Sequence, residues 1–137
     1  MIRFRESELW TITMEAPRPP KPRYEYRVAT VDRVVDGDTV DLTVDLGFEI
    51  FHRCRVRLAG VNCPETRTRD LEEKKRGLAA KRFATNFLKH RGRITLVSKE
   101  YRGKFGRVLG EIEADGESLN ASLVETGHAV EYHGGKR

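Results

Sequence analysis

The chain predicts a mainly β (α+β) domain, a five-stranded Greek-key OB-fold barrel with two or three helices. Three observations carry that prediction. Residues 24–61 alternate apolar and polar side chains with period two, interrupted by Asp36-Gly37-Asp38 and by Gly47. An apolar stripe at helical spacing follows. Two more strand-like runs then lead through Asp115-Gly116 to a short final helix. Three strands, a helix, two strands and a helix suit a small closed barrel, and 137 residues give one core without staples. An α+β sheet of another topology is the alternative, because periodicity does not reveal strand order.

Residues 1–22 read as an N-terminal extension. Phe4, Leu9, Trp10, Ile12 and Met14 suit a short strand or hairpin, after which Pro17, Pro19, Pro20 and Pro22 form a breaker-rich link. The domain itself is expected over residues 23–133. Tyr24–Val31 and Arg33–Val35 are β-like, Asp36-Gly37-Asp38 is a turn, and Thr39–Leu46 alternates up to Gly47. Phe51–Val61 is the third strand, with Cys54, Val56 and Leu58 on one face and Arg53, Arg55 and Arg57 on the other.

Residues 66–76 are polar and predict a mobile loop, helical at most at its end. Gly77–His90 is the clearest helix, its stripe formed by Ala79, Ala80, Phe83, Phe87 and Leu88. Arg93–Ser98 and Arg107–Ile112 are the fourth and fifth strands. Leu119–Glu125 is a short helix, with Gly127 suited to cap it. Residues 134–137 are expected to be a flexible tail.

The net charge of +5 is unevenly spread. Residues 51–107 hold 17 Lys/Arg against 5 Asp/Glu, whereas residues 1–50 hold 7 against 10 and residues 108–137 hold 2 against 6. A basic middle between acidic flanks suits a polyanion-facing surface beside a cation site; a solvated basic face without a partner fits the charge equally well. No run approaches the length of a membrane-spanning helix and the start lacks an apolar signal region, so a cytoplasmic location and no membrane partner are expected. Cys54 and Cys63 are expected as a reduced pair.

Two acidic segments stand out: Asp36-Gly37-Asp38-Thr39 and Asn62-Cys63-Pro64-Glu65-Thr66. Each alone reads as turn punctuation. Taken with Arg57 and Arg107 they supply oxygen donors for a hard cation, a further carboxylate and two guanidinium groups, which suits metal-assisted phosphodiester cleavage. His52, His90, His128 and His133 lack ligand spacing with either cysteine, so zinc is not expected. The sequence holds no Gly-rich phosphate loop, Ser-His-Asp order or dinucleotide fingerprint.

Val35–Val40, Val56-Arg57-Leu58 leading to Pro64-Glu65-Thr66, and Lys104-Phe105-Gly106-Arg107 resemble the signature blocks of staphylococcal-nuclease-like (thermonuclease) domains. The resemblance runs in order from Tyr24 to Tyr132, roughly four-fifths of the chain, and includes Leu123–Ala129. It implies an OB-fold nuclease with little sequence preference on DNA and RNA, leaving 3′-phosphates, with Ca²⁺ as cofactor. By position, Asp38 resembles the main carboxylate ligand, Asn62 the second ligand, and Cys63 the residue whose backbone carbonyl coordinates. Glu65 matches the general base, and Arg57 and Arg107 match the pair that holds the phosphate. Lys104 falls where a phosphate contact lies.

Two departures follow. Asn62 stands where an aspartate is usual, which removes a charge and opens the site to Mg²⁺ or Mn²⁺. Phe105 replaces a tyrosine, so its ring can stack but not donate. Tyr132 and Tyr101 are candidate base-stacking aromatics, with packing an equal alternative. A nucleic acid substrate and a monomer are expected. The rival reading is a catalytically weakened OB module that binds nucleic acid or a protein partner.

Overall fold

The computed structural model describes residues 24–100 and 106–133, except the side chains of residues 99 and 100. The expectations for residues 1–22, Tyr101, Lys104, Phe105 and 134–137 lie outside the described residues. In chain order the elements are β1 (Tyr24–Asp36), β2 (Thr39–Asp45), β3 (Phe51–Leu58), β4 (Val61–Asn62), α1 (Leu71–Lys89), β5 (Ile94–Glu100), β6 (Val108–Ala114), β7 (Glu117–Ser118), α2 (Leu119–Glu125) and β8 (Val130–Glu131).

The main sheet runs β3-β2-β1-β5-β6-β7, and a parallel pairing of β3 with β6 closes it. Among the described residues the five long strands therefore form a closed OB-like barrel with two helices, as the sequence predicts. β1 makes the barrel possible by serving two partners. Its first residues pair with β5, the rest pair with β2, and three register shifts bend it between them. Inside, Val40, Leu42, Val56, Leu58, Leu96 and Ile112 are buried, and Ala80, Ala84, Phe87 and Leu88 of α1 complete the core with Leu119 and Leu123 of α2. Their burial supplies the main driving force for closure.

Two boundaries differ from expectation. The third strand does not continue to Val61: it stops at Leu58, Gly60 turns at φ 75°, and β4 pairs instead with β8. The helix begins at Leu71 rather than Gly77. Asp70 caps it, accepting from the Glu72 and Glu73 amides, and those two acids sit in the positive first turn. The polar stretch 66–76 is thus irregular up to Asp70 and helical at its end, from Leu71 on.

Gly77 explains why α1 can lie so close to the preceding Asn62–Thr66 segment. A Cβ there would stand 2.5 Å from the Glu65 carbonyl oxygen and 2.9 Å from that of Pro64. Gly37 plays the same part from the other side, where a Cβ would meet Ala80 Cβ and Cys63 Sγ, each at 2.8 Å. Both acidic segments are pressed against one face of α1 because two residues carry no side chain.

Candidate active site

Asp38 lies in the β1–β2 turn and is almost fully buried. A buried carboxylate needs donors, and three elements supply them. Thr39 Oγ1 donates to Asp38 Oδ1 at 3.1 Å, and the Cys63 amide donates to Oδ2 at 2.9 Å. Arg57, at the end of β3, brings Nη2 to 3.4 Å from Oδ2. The β2–β3 register pairs Thr39 with Arg57, so the strand ladder itself sets the guanidinium beside Asp38.

Arg57 also reaches forward. Its Nη2 donates to Asn62 Oδ1 at 3.3 Å, and its Nη1 to the Leu58 carbonyl at 2.9 Å. The structure therefore brings Asp38, Arg57, Asn62 and Cys63 into one cluster. Asn62 is held in β4 opposite Val130, and the Tyr132 amide donates to the Gly60 carbonyl at 2.8 Å. Tyr132 consequently borders the strand that carries Asn62.

Glu65 follows two residues after Cys63 and is exposed. Its amide faces Glu73 Oε1 at 3.5 Å, and its backbone is wedged against Gly77. Arg107 directly precedes β6, whose Val108 pairs with Val56. Strand alternation puts Arg57 on the side of β3 opposite the buried Val56, and Arg107 precedes the equally buried Val108. Lys104 and Phe105 lie outside the described residues. Among the described residues no three His, Cys, Asp or Glu side chains form a group that could hold a metal ion.

The other nearby carboxylates have different partners. Thr66 Oγ1 donates to Asp36, which ties the second acidic segment back to the first. Asp41 takes both Nε and Nη2 of Arg55, at 2.7 and 3.0 Å. That hydrogen-bonded fork holds the Asp41 carboxyl below the usual carboxylate range. Asp32, likewise lowered, accepts from Thr30 and Thr43. Burial and the neighbouring Asp32 and Asp41 push the Cys54 thiol up.

Glu73 and Gly77 also belong to this support, and their part in it does not follow from their place in the sequence.

The OB-like barrel and its Asp–Arg–Asn cluster accord with the matches to known proteins. Residues 55–137 match the family described as Staphylococcal nuclease homologue. The chain belongs to that family. It is 32% identical over 125 residues to Endonuclease YhcR of Bacillus subtilis, covering 86% of this chain and 10% of that protein. To the Thermonuclease of Staphylococcus intermedius it is 33% identical over 99 residues, 72% of this chain and 56% of that one. To Protein ParB of Escherichia coli it is 31% identical over 111 residues, 74% of this chain and 55% of that one. The chain thus spans from a tenth to about half of the length of these relatives. Nuclease activity is supported at the level of the family. Among the described residues no helix is long and apolar enough to cross a membrane.

Proposed function

We propose that residues 23–133 form a metal-dependent nuclease that hydrolyses phosphodiester bonds of DNA or RNA with little sequence preference, leaving 3′-phosphates. One observation carries this reading: Arg57 stands between the buried Asp38 carboxylate and Asn62 Oδ1, with Cys63 anchored to the same carboxylate. Oxygen donors and a guanidinium converge there from the β1–β2 turn, β3 and the β4 segment.

The donor set fits a hard cation. Asp38 offers a carboxylate, Asn62 an amide oxygen and Cys63 a backbone carbonyl, which is the chemistry Ca²⁺, Mg²⁺ and Mn²⁺ accept. When bound, the cation polarises the phosphoryl oxygen and offsets negative charge. Arg57 and Arg107 present forked donors to phosphate oxygens. Glu65, exposed at the end of its segment, takes the role of orienting or deprotonating the attacking water. Asp38 holds Arg57 in place before substrate arrives, so little reorganisation is needed.

The test is digestion of plasmid DNA and of RNA with Ca²⁺, Mg²⁺ or Mn²⁺ against an EDTA control, with product ends read by mass spectrometry. Metal-dependent degradation to 3′-phosphate ends is expected. Folded protein that degrades neither substrate with any of these metals rejects the reading.

One observation favours a second reading. Asn62 brings no charge, and its oxygen already serves Arg57. A module that binds nucleic acid without cutting needs no more than that. Calorimetric titration with metal separates the two readings, because the binding module predicts no saturable site.

A further inference from the structure

The side of β3 that carries Arg57 continues away from the cluster. Phe51, Arg53, Arg55 and Arg57 alternate along the strand, facing Asp45, Thr43, Asp41 and Thr39 of β2. Successive guanidinium positions are therefore about 6.8 Å apart, twice the rise per residue, which is the order of phosphate spacing in an extended single strand. Arg55 is held rigid by its fork to Asp41. Arg53 is 83% exposed and lies 3.9 Å from Asp32. Arg33 flanks Asp41 from β1.

At the far end of this row stands an apolar tip. The Ile50 amide closes on the Gly47 carbonyl at 2.9 Å, making a two-residue turn whose central residues are Phe48 and Glu49. Both have positive φ, 54° and 61°, in a turn type that favours Asn and Gly. Phe48 is 96% exposed as a result. Leu46, Ile50 and Phe51 are exposed beside it. Strain that displays an aromatic ring to solvent calls for a ligand with an aromatic face.

We infer that the outer face of β3 and the Leu46–Phe51 hairpin form a track for single-stranded nucleic acid leading away from the Arg57 cluster. Phosphates lie on Arg55 and Arg53, and unpaired bases stack on Phe51 and Phe48. A row of guanidinium groups that ends in exposed aromatics can hold a single strand in this way, whatever its sequence. The track is about 20 Å long between Arg57 and Phe51, at the ordinary rise per residue. Asp32 and Asp41 set the arginines' orientation and keep the face close to neutral overall, which favours stacking and spaced phosphate contacts over wholesale attraction of duplex.

The inference rests on the nuclease reading only for where the strand is cut. The experiment is fluorescence anisotropy with labelled oligodeoxythymidylates of increasing length, in EDTA so that no cleavage occurs. Affinity should rise with length until the strand spans the track. Phe48→Ala and Arg53→Glu should each weaken the long oligomers about tenfold and leave the shortest unchanged. Arg53→Glu should also flatten the salt dependence by about 0.7 per lost contact, and Lys89→Glu on α1 should do neither.

Equal binding of short and long strands overturns the track, as do variants that bind long strands like the wild type; the tip then serves a protein or membrane partner. A protein that binds with this length dependence but never cuts overturns the nuclease reading alone. One that cuts without length dependence overturns the track alone.

Discussion

Arg57 and Asp38 meet at 3.4 Å although 19 positions separate them, because the β2–β3 ladder pairs Thr39 with Arg57. Each controls the other. Asp38 fixes where the guanidinium points, and Arg57 compensates a carboxylate that the barrel has taken out of water.

Arg57→Ala should therefore fail twice. Phosphodiester cleavage should fall about 10²-fold or more with the preorganised donor gone. Stability should fall by about 3 kcal/mol, because Asp38 is left buried with one partner fewer. Arg57→Lys keeps the charge but not the fork, so most stability should return while the rate stays low. Denaturant melts and cleavage rates on the two variants check this. Equal stability in Arg57→Ala and wild type would show that the pair is not coupled.

Asn62→Asp retains the acceptor for Arg57 and adds a charge to the proposed cation site. Calorimetry should show Ca²⁺ affinity rising by about tenfold, in line with the effect of ligand charge on such sites. Unchanged affinity rejects charge as the limiting factor.

Gly77→Ala is a substitution that helix propensity alone favours by about 1 kcal/mol. The Cβ would nevertheless stand 2.5 Å from the Glu65 carbonyl oxygen, and backbone cannot swing aside as a side chain can. A net loss of about 1–3 kcal/mol is expected, with cleavage reduced even where the variant is fully folded. A rise in melting temperature would mean that the helix and the Glu65 segment separate easily.

Asp41 gives a pH signature. Its folded pKa lies below the ordinary 3.8, chiefly through the Arg55 fork, so the stability it contributes is complete above that value. It disappears as pH falls through the lower, folded value. Melting temperatures of wild type and Asp41→Asn should thus differ by a constant amount from pH 5 to 7 and converge under stronger acid. The gap should be small, under about 1 kcal/mol, because the pair is open to solvent. A gap that widens on acidification contradicts the assignment.

Phe48→Gly should melt higher than wild type, by the equivalent of about 0.5–1 kcal/mol, since glycine takes the positive φ without a Cβ penalty. The same variant should bind long single strands less well. Thermal scans and anisotropy on one preparation test both halves.

Much of this was legible in residue order. Alternation in β2 and β3 placed Arg53, Arg55 and Arg57 on one face, and the turn residues around Asp38 marked the β1–β2 corner. The start of α1 was not legible as helix, because Leu71–Arg76 has charge but no apolar period; Asp70 followed by Glu72 and Glu73 was the available clue. β4 and β8 are two residues each and leave no pattern. Asn120 is the clearest loss. It is buried and ties the Ala59 and Gly110 carbonyls to the Ile112 amide, a role decided entirely by tertiary position. Within the cluster, the Cys63 amide on Asp38 depends on how close Gly37 and Gly77 let three segments come, and spacing along the chain carries no record of it.

The parallel pairing of β3 with β6 has a consequence in time. It joins Val56 to Val108, so Arg57 and Arg107 gain a shared surface only after the fifth long strand has been synthesised and docked. A nascent chain on the ribosome, surrounded by RNA, carries Asp38, Arg57 and Glu65 well before Arg107 arrives. In the proposed mechanism, chemistry that requires both arginines therefore waits for barrel closure.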